Sequence, residues 1–156
     1  MATVRSSGIL LYRFAADGAL EVWIAHMGGP FWAKKDDHAW SIPKGEYSLG
    51  EDPFEAALRE FEEEIGVPAP DLGYSALGEF RQPSGKIVTA FCAESDFTVE
   101  TVSSNTFRAE WPPRSGRMQD FPEIDDARWI TVAEARTKLV KGQLPILDAL
   151  ITTVGT

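Results

Sequence analysis

The segment from Asp52 to Gly66 restricts the fold more than any other part of the sequence. Pro53 follows Asp52, and both residue types favour the first turn of a helix. Gly66 favours a helix end, and Pro68 and Pro70 prevent the helix from resuming. The apolar side chains fall on one stripe of a helical wheel, and they are Phe54, Ala57, Leu58, Phe61 and Ile65. The sequence therefore predicts an amphipathic helix that packs one face on a core and ends before Gly66.

The acidic side chains of this helix divide into two sets. Glu60, Glu63 and Glu64 share one wedge of the wheel, whereas Glu55 and Glu62 lie on the other flank of the apolar stripe. Carboxylates at this spacing repel one another by roughly a few tenths of a kcal/mol per pair. A hard cation such as Mg²⁺ or Mn²⁺, which prefers oxygen ligands, would remove that repulsion. The alternative is an acidic helix face exposed to solvent, and the neighbouring residues decide between the two.

Composition and charge limit the classes of protein to consider. The chain has 156 residues, 44% of them hydrophobic and 25% charged, which suits one folded domain over residues 1–156. A net charge of −9 argues against stable nucleic-acid binding, which uses broad basic surfaces. The first residues lack a signal-peptide core, and no apolar run could cross a bilayer, so we expect a cytoplasmic protein. The single cysteine, Cys92, stands in an apolar stretch and is predicted to be buried.

Hydrophobic patterning predicts strands before and after the helix. The expected strands are residues 4–14, 19–27, 40–43, 77–82, 87–93 and 128–131. Short helices are expected near residues 132–140 and 145–153. Residues 28–38, 44–50 and 98–122 are expected to be loops, the last of them because of its irregular, proline-containing pattern.

The residues around the acidic helix resemble the Nudix box of the Nudix hydrolases. The box extends from Gly45 to Val67, and its seven fixed identities are Gly45, Glu51, Arg59, Glu60, Glu63, Glu64 and Gly66. With each residue type at a frequency of about 6%, such a match arises by chance about once in 10⁸ to 10⁹ positions. The resemblance implies an α/β Nudix fold, in which a mixed β-sheet is sandwiched between α-helices. It also implies metal-dependent hydrolysis of a nucleoside diphosphate linked to another group, X.

The resemblance assigns metal-binding and catalytic roles within the box. Glu60, Glu63 and Glu64 would bind Mg²⁺, which Mn²⁺ could replace, together with the backbone carbonyl of Lys44. Two or three such ions would neutralise the pyrophosphate and activate a water molecule. Glu63 is the leading candidate for the general base, and Glu110 is the candidate base or metal ligand outside the box.

Other residues of the box are expected to support these carboxylates. Arg59 is counted with the catalytic residues because an ion pair with Glu51 would orient a metal-binding carboxylate. Gly45 and Gly66 are expected either to adopt backbone conformations that other residues disfavour or to allow a close approach.

The segment Trp40-Ser41-Ile42-Pro43-Lys44-Gly45 favours one substrate class. It is similar to the Trp-x-x-Pro-Lys-Gly segment of Nudix enzymes that cleave diadenosine polyphosphates. The predicted substrate-binding residues are Lys44, Trp40, Trp111, Arg114 and Arg117, the last three on one proline-stiffened loop. Aromatic residues that could stack on a nucleobase are Phe31, Trp32, Trp40, Phe107 and Trp111, with core packing as the competing explanation for each.

Three alternatives to a diadenosine polyphosphate hydrolase stay open. Two are enzymes, a nucleoside triphosphate pyrophosphatase and a hydrolase of ADP-ribose or nucleotide sugars. The third is a Nudix-fold sensor that binds a nucleotide without cleaving it, although such a module need not keep all three metal-binding glutamates. In each case we expect a small nucleotide as the ligand and a monomer or homodimer as the assembly.

Overall fold

A computed structural model of the protein describes residues 3–155. Its strands are β1 (Arg5–Phe14), β2 (Leu20–Met27), β3 (Trp40–Ser41), β4 (Lys44–Glu46), β5 (Ser75–Arg81), β6 (Ile87–Glu94), β7 (Thr106–Glu110), β8 (Met118–Pro122) and β9 (Ile124–Thr131). Its helices are α1 (Pro53–Ile65), α2 (Val132–Lys138) and α3 (Leu144–Val154), with a 3₁₀ turn at Lys141–Gln143. No helix among residues 3–155 is long and apolar enough to span a membrane.

Seven of the strands form a mixed sheet between helices, as the resemblance implied, and β7 and β8 form a separate two-stranded sheet. Strand order is β3-β2-β1-β6-β5, with β4 paired to β1 and β9 paired to β2. The β1–β6 pair is parallel and the other pairs are antiparallel. Alternate residues of β1 face opposite layers, because Ile9 and Leu11 pack with α1 whereas Leu10 packs with α3. Cys92 is buried in the second of these layers, which confirms its predicted place.

Helix α1 has the start and end that the sequence predicted. The Asp52 carboxylate accepts hydrogen bonds from the backbone N–H groups of Phe54 at 3.1 Å and Glu55 at 3.0 Å, which caps the helix. Gly66 ends it with a φ of 95°, a left-handed conformation that favours glycine. The fully buried face contains Ala56, Ala57, Phe61 and Ile65.

Two predicted loops contain strands. Residues 98–122 were expected to be irregular, but β7 and β8 pair there as an antiparallel hairpin, with Phe107 opposite Phe121. Each strand has only five residues, too few for an alternating pattern to stand out from a loop. Residues 44–50 were also expected to be a loop, yet the first three form β4 by pairing with β1. Only β4 has a partner distant in sequence, since β7 and β8 pair with each other.

Candidate active site

Five glutamates line one cavity of about 370 Å³, which we call the glutamate cavity. Glu60, Glu63 and Glu64 reach it from one side of α1, and Glu123 reaches it from the junction of β8 and β9. Glu55 and Glu62 are exposed elsewhere on the helix, as the wheel predicted. The cavity is also lined by Ser6, Lys44, Gly45, Glu46, Lys86 and Asn105. The fold therefore brings together the acidic wedge of α1 and a carboxylate from a distant part of the chain.

Strand β4 crosses α1 so closely that the contact requires a glycine. A Cβ atom added at Gly45 would overlap the carboxylate of Glu60. On the neighbouring residue, the backbone N–H of Lys44 donates a hydrogen bond of 3.1 Å to Glu64 Oε1. These contacts hold two of the three box carboxylates against the backbone of β4.

Arg59 lies among three carboxylates. Its guanidinium donates to both oxygens of Glu51, at 3.0 and 3.1 Å, and to Glu60 Oε1 at 2.7 Å. A longer contact of 3.3 Å joins it to Glu63. Arg59 thus joins the loop before α1 to two glutamates of the cavity, and it lowers the pKa of Glu51.

The cavity disfavours the negative charge of its own carboxylates. Burial raises the pKa of Glu64 to about 8, although the hydrogen bond from the Lys44 backbone opposes the shift. Burial likewise raises the pKa values of Glu60 and Glu123, and in Glu123 the charge of Glu63 adds to the effect. Lys44 shows the matching response, because burial lowers the pKa of its ammonium group. Additional positive charge in the cavity would stabilise all three glutamates in their ionised form.

The donor set of the cavity fits a hard divalent cation. Carboxylate oxygens are the ligands that Mg²⁺ and Mn²⁺ prefer, and five carboxylates line this cavity. Among residues 3–155, no three Asp, Glu, His or Cys side chains lie close enough together to hold a metal ion. Arg59 instead bonds to Glu60 and Glu63 in the arrangement described here.

Glu110 does not line the glutamate cavity. Its carboxylate accepts hydrogen bonds from the backbone N–H groups of Arg114 at 3.0 Å and Gly116 at 3.1 Å, at the tip of the β7–β8 hairpin. It therefore stabilises its own turn, and Glu123 replaces it as the candidate carboxylate outside the box. The sequence did contain a signal for Glu123, which begins a segment, residues 123–135, that is similar to the same family.

Trp40 is unavailable to a nucleobase. Its side chain is 4% exposed and belongs to the core, and its indole N–H donates to Asp36 Oδ1 at 2.9 Å. Core packing, the competing explanation, accounts for this residue. Trp111, Arg114 and Arg117 lie at the hairpin tip and line none of the cavities that adjoin the glutamates.

Two other aromatic residues adjoin the glutamates. Trp32 and Phe107 line a second cavity of about 220 Å³, which we call the aromatic cavity. It shares Lys44, Glu64 and Glu123 with the glutamate cavity, so the two are continuous around these side chains. The loop at residues 28–38 supplies Trp32, and the hairpin missed in the sequence supplies Phe107.

Comparison with known proteins identifies the family to which this fold belongs. A sequence profile of the NUDIX domain matches residues 4–150, and the chain belongs to this family. The RNA pyrophosphohydrolase of Aeromonas hydrophila is 29% identical over 119 residues, which covers 67% of this chain and 63% of that protein. The chain thus spans less than two thirds of that relative's length.

Two solved structures share the fold at low sequence identity. A C. elegans Ap4A hydrolase, solved as a binary complex, is 21% identical with a TM-score of 0.66, over 97% of this chain and 98% of that one. The NUDIX domain of Shewanella oneidensis NrtR, solved with ADP ribose, is 16% identical with a TM-score of 0.64, over 99% and 90% of the two chains. These similarities confirm the predicted Nudix fold.

Proposed function

We propose that the protein hydrolyses a pyrophosphate bond in a nucleoside diphosphate linked to a second group, X, with the help of divalent metal ions. The observation that carries this proposal is the glutamate cavity, which is lined by five glutamates and shares Lys44, Glu64 and Glu123 with the aromatic cavity. A nucleotide has the same order of chemical groups, a charged pyrophosphate next to an aromatic base.

The metal would be held by the carboxylates of Glu60, Glu63, Glu64 and Glu123, with the backbone carbonyl of Lys44 as a further ligand. Bound Mg²⁺ supplies positive charge to the pyrophosphate and makes water a better nucleophile. Lys44 would place its ammonium group on a phosphate, since its side chain lines both cavities. Arg59 would position the carboxylates of Glu60 and Glu63 through the bonds already described.

Glu63 is the proposed general base, with Glu123 as the second candidate. A base that activates water must be reachable by solvent. The Glu63 side chain is 39% exposed, against 13% for Glu60, and its contacts with Arg59 are the longer ones. Glu63 can therefore accept a proton from water with the least rearrangement of the site.

The nucleobase would lie in the aromatic cavity against Trp32 and Phe107. Stacking on an aromatic side chain is worth about 1–3 kcal/mol per base and tolerates different bases. The segment from Trp40 to Gly45 favours a diadenosine polyphosphate as the substrate. The names of the similar proteins add an RNA 5′ pyrophosphate and ADP-ribose to the compounds worth testing.

The decisive experiment is a hydrolysis screen with Mg²⁺ and with Mn²⁺. The panel contains diadenosine tetraphosphate, ADP-ribose, nucleotide sugars, canonical and oxidised deoxynucleoside triphosphates, and a 5′-triphosphorylated oligonucleotide, and ¹⁸O-labelled water identifies the phosphorus attacked. We expect turnover of at least one dinucleotide or nucleotide-X compound. Tight binding of one compound with no turnover of any would favour the sensor instead.

The same assay tests the base. Glu63→Gln should reduce kcat by at least about 100-fold, in the range of general-base catalysis. Glu62→Gln is the matched control, because Glu62 is the adjacent glutamate and is exposed away from the cavity. A fully active Glu63→Gln variant would remove Glu63 from both its metal-binding and its base role.

A further inference from the structure

A third cavity, of about 320 Å³, adjoins the glutamate cavity on the other side of Lys44, and we call it the side cavity. It lies between the β5–β6 turn and the segment that leads into α3. Gln82 and Ser84 line it from the turn, and Gly142 and Gln143 line it from the other segment. None of these four residues has a part in the proposed reaction.

The charge of the side cavity differs from that of the glutamate cavity. Lys44 and Lys86 line both cavities, but no lining residue of the side cavity is a carboxylate, whereas five glutamates line the other. Lys86 pairs with Glu46 at 3.3 Å, and because Glu46 is largely exposed this contact is weak and easily exchanged. An anionic group of a ligand that extends from the glutamate cavity into the side cavity would therefore lie next to two lysines.

An unpaired hydroxyl group, that of Ser6, lies near the boundary between the glutamate cavity and the side cavity. Ser6 Oγ is fully buried and has no hydrogen-bond partner among the described residues. Ser6 lines the glutamate cavity beside Lys44 and Lys86, and it is paired in the sheet with Val88, which lines the side cavity. A buried hydroxyl without a partner destabilises the fold, and a phosphate oxygen would satisfy it.

The walls of the side cavity are already held in place by hydrogen bonds. Gln82 Nε2 donates to the carbonyl of Gly142 at 2.9 Å, and a Cβ atom at Gly142 would collide with the Gln82 side chain. Gln143 is fully buried, accepts from the backbone N–H of Ile42 at 2.9 Å and donates to Ser41 Oγ at 2.8 Å. A ligand would thus find a preformed cavity with amide and hydroxyl groups in its walls.

We propose that the side cavity binds the X group, and that X is a phosphorylated, hydroxylated group whose phosphate lies against Lys44, Lys86 and Ser6. This inference rests on the proposed function, because it assigns the second arm of the same substrate. At about 320 Å³ the cavity is at the small end of ligand pockets, which span roughly 300–1,000 Å³. It therefore suits one sugar or nucleoside and is too small for a longer chain.

Equilibrium binding tests the assignment without turnover. In a Glu63→Gln background that leaves substrates intact, dissociation constants are measured by calorimetry for ADP, ADP-ribose and diadenosine tetraphosphate. Ser84→Phe narrows the side cavity from an exposed turn, so the fold should tolerate it, and Lys86→Gln removes one of the two charges. Lys34→Gln is the matched control, since Lys34 is exposed and lines none of the three cavities.

We expect Ser84→Phe and Lys86→Gln each to weaken binding of diadenosine tetraphosphate at least 10-fold and of ADP less than 2-fold. The X group of diadenosine tetraphosphate is a phosphorylated adenosine, whereas that of ADP-ribose is a ribose without a further phosphate, so Ser84→Phe should weaken ADP-ribose binding and Lys86→Gln should not. Equal losses for ADP and diadenosine tetraphosphate, or no loss for either, would overturn the assignment. The two variants could lose affinity for diadenosine tetraphosphate but not for ADP while the unmodified protein hydrolyses none of the compounds. That result would support the side-cavity assignment and contradict the hydrolytic proposal.

Discussion

At the scale of single residues, the candidate site depends on two glycines, Gly45 and Gly66, at positions where a side chain would not fit. Gly45 has no side chain at the point where β4 meets Glu60, and the box therefore needs glycine at that position for a steric reason. Gly66 needs it for a conformational reason, since its φ is 95°, and a Cβ atom there would also crowd Ser103. Two glycines of one motif thus serve different purposes.

Gly45→Ala should therefore displace the Glu60 carboxylate. Misplacement of a catalytic group by about 1 Å can cost on the order of 100-fold in rate, so we expect kcat/KM to fall at least about 10-fold. Steady-state kinetics on the best substrate of the screen measures this. Gly73→Ala is the control, because a Cβ atom at Gly73 meets nothing within 4 Å and its activity should be unchanged. An active Gly45→Ala variant would show that Glu60 can move without consequence.

Glu64 links metal binding to stability. Its raised pKa of about 8 means that its ionised form is disfavoured by the metal-free fold, so at higher pH the charge destabilises the protein. A bound cation reverses that penalty and stabilises the folded state by mass action. In thermal unfolding above pH 8, Mg²⁺ should raise the Tm of the parent protein, and Glu64→Gln should abolish most of the rise. Glu62→Gln should retain it, and a retained rise in Glu64→Gln would exclude Glu64 as a ligand.

At the scale of elements, the β7–β8 hairpin has two ends with different surroundings. Phe107 lies on β7 and faces the aromatic cavity, where its ring contacts the backbone at Gly29. Trp111 lies at the other end and is 38% exposed. The position of this hairpin explains why the tip residues Arg114 and Arg117 line none of the cavities near the glutamates, although sequence reasoning favoured their loop.

Phe107→Ala should raise KM for the true nucleotide by about 5-fold to 100-fold, the equivalent of losing about 1–3 kcal/mol of stacking, with a smaller effect on kcat. Trp111→Ala is the informative comparison, because both changes remove an aromatic ring from the same hairpin. We expect it to change KM less than Phe107→Ala does. The reverse ranking, measured with one substrate at saturating Mg²⁺, would restore the hairpin tip to the substrate site.

At the scale of the whole molecule, the seven-stranded sheet separates two cores, and the glutamate cavity lies where β1 and β4 meet α1. Strand β1 is central to this arrangement, because it pairs with β2, β4 and β6 and contributes to both cores. Its residue Ser7 also donates from its hydroxyl to the carbonyl of Pro53 at 2.5 Å, which connects the sheet to the first turn of α1. Stability and the position of the catalytic helix are therefore coupled.

Tyr74 is expected to make the stability of the fold depend on pH in the alkaline range. Burial, and secondarily Asp71, raises its pKa to about 12, and its hydroxyl donates to the Pro70 carbonyl at 2.7 Å in the connection that follows α1. Because the folded pKa exceeds the ordinary tyrosine value of 10.0, Tyr74 stabilises the fold below pH 10 and loses that contribution as pH rises towards 12. Tyr74→Phe should unfold with a weaker dependence on pH between those values. An unchanged dependence, followed by circular dichroism, would contradict the shift.

The sequence by itself determined the parts of this protein that depend on near neighbours. Helix α1 begins at Pro53 and ends at Ile65 because a cap, a proline and a glycine act within one or two turns, and the wedge of glutamates follows from helical periodicity alone. Tertiary structure decided the rest of the candidate site. Glu123, Trp32 and Phe107 come from loops and short strands whose local patterns are weak, and only pairing and packing with distant segments bring them to the helix. The box therefore predicted the glutamates proposed to bind metal, whereas long-range contacts formed the cavities proposed to bind the base and X.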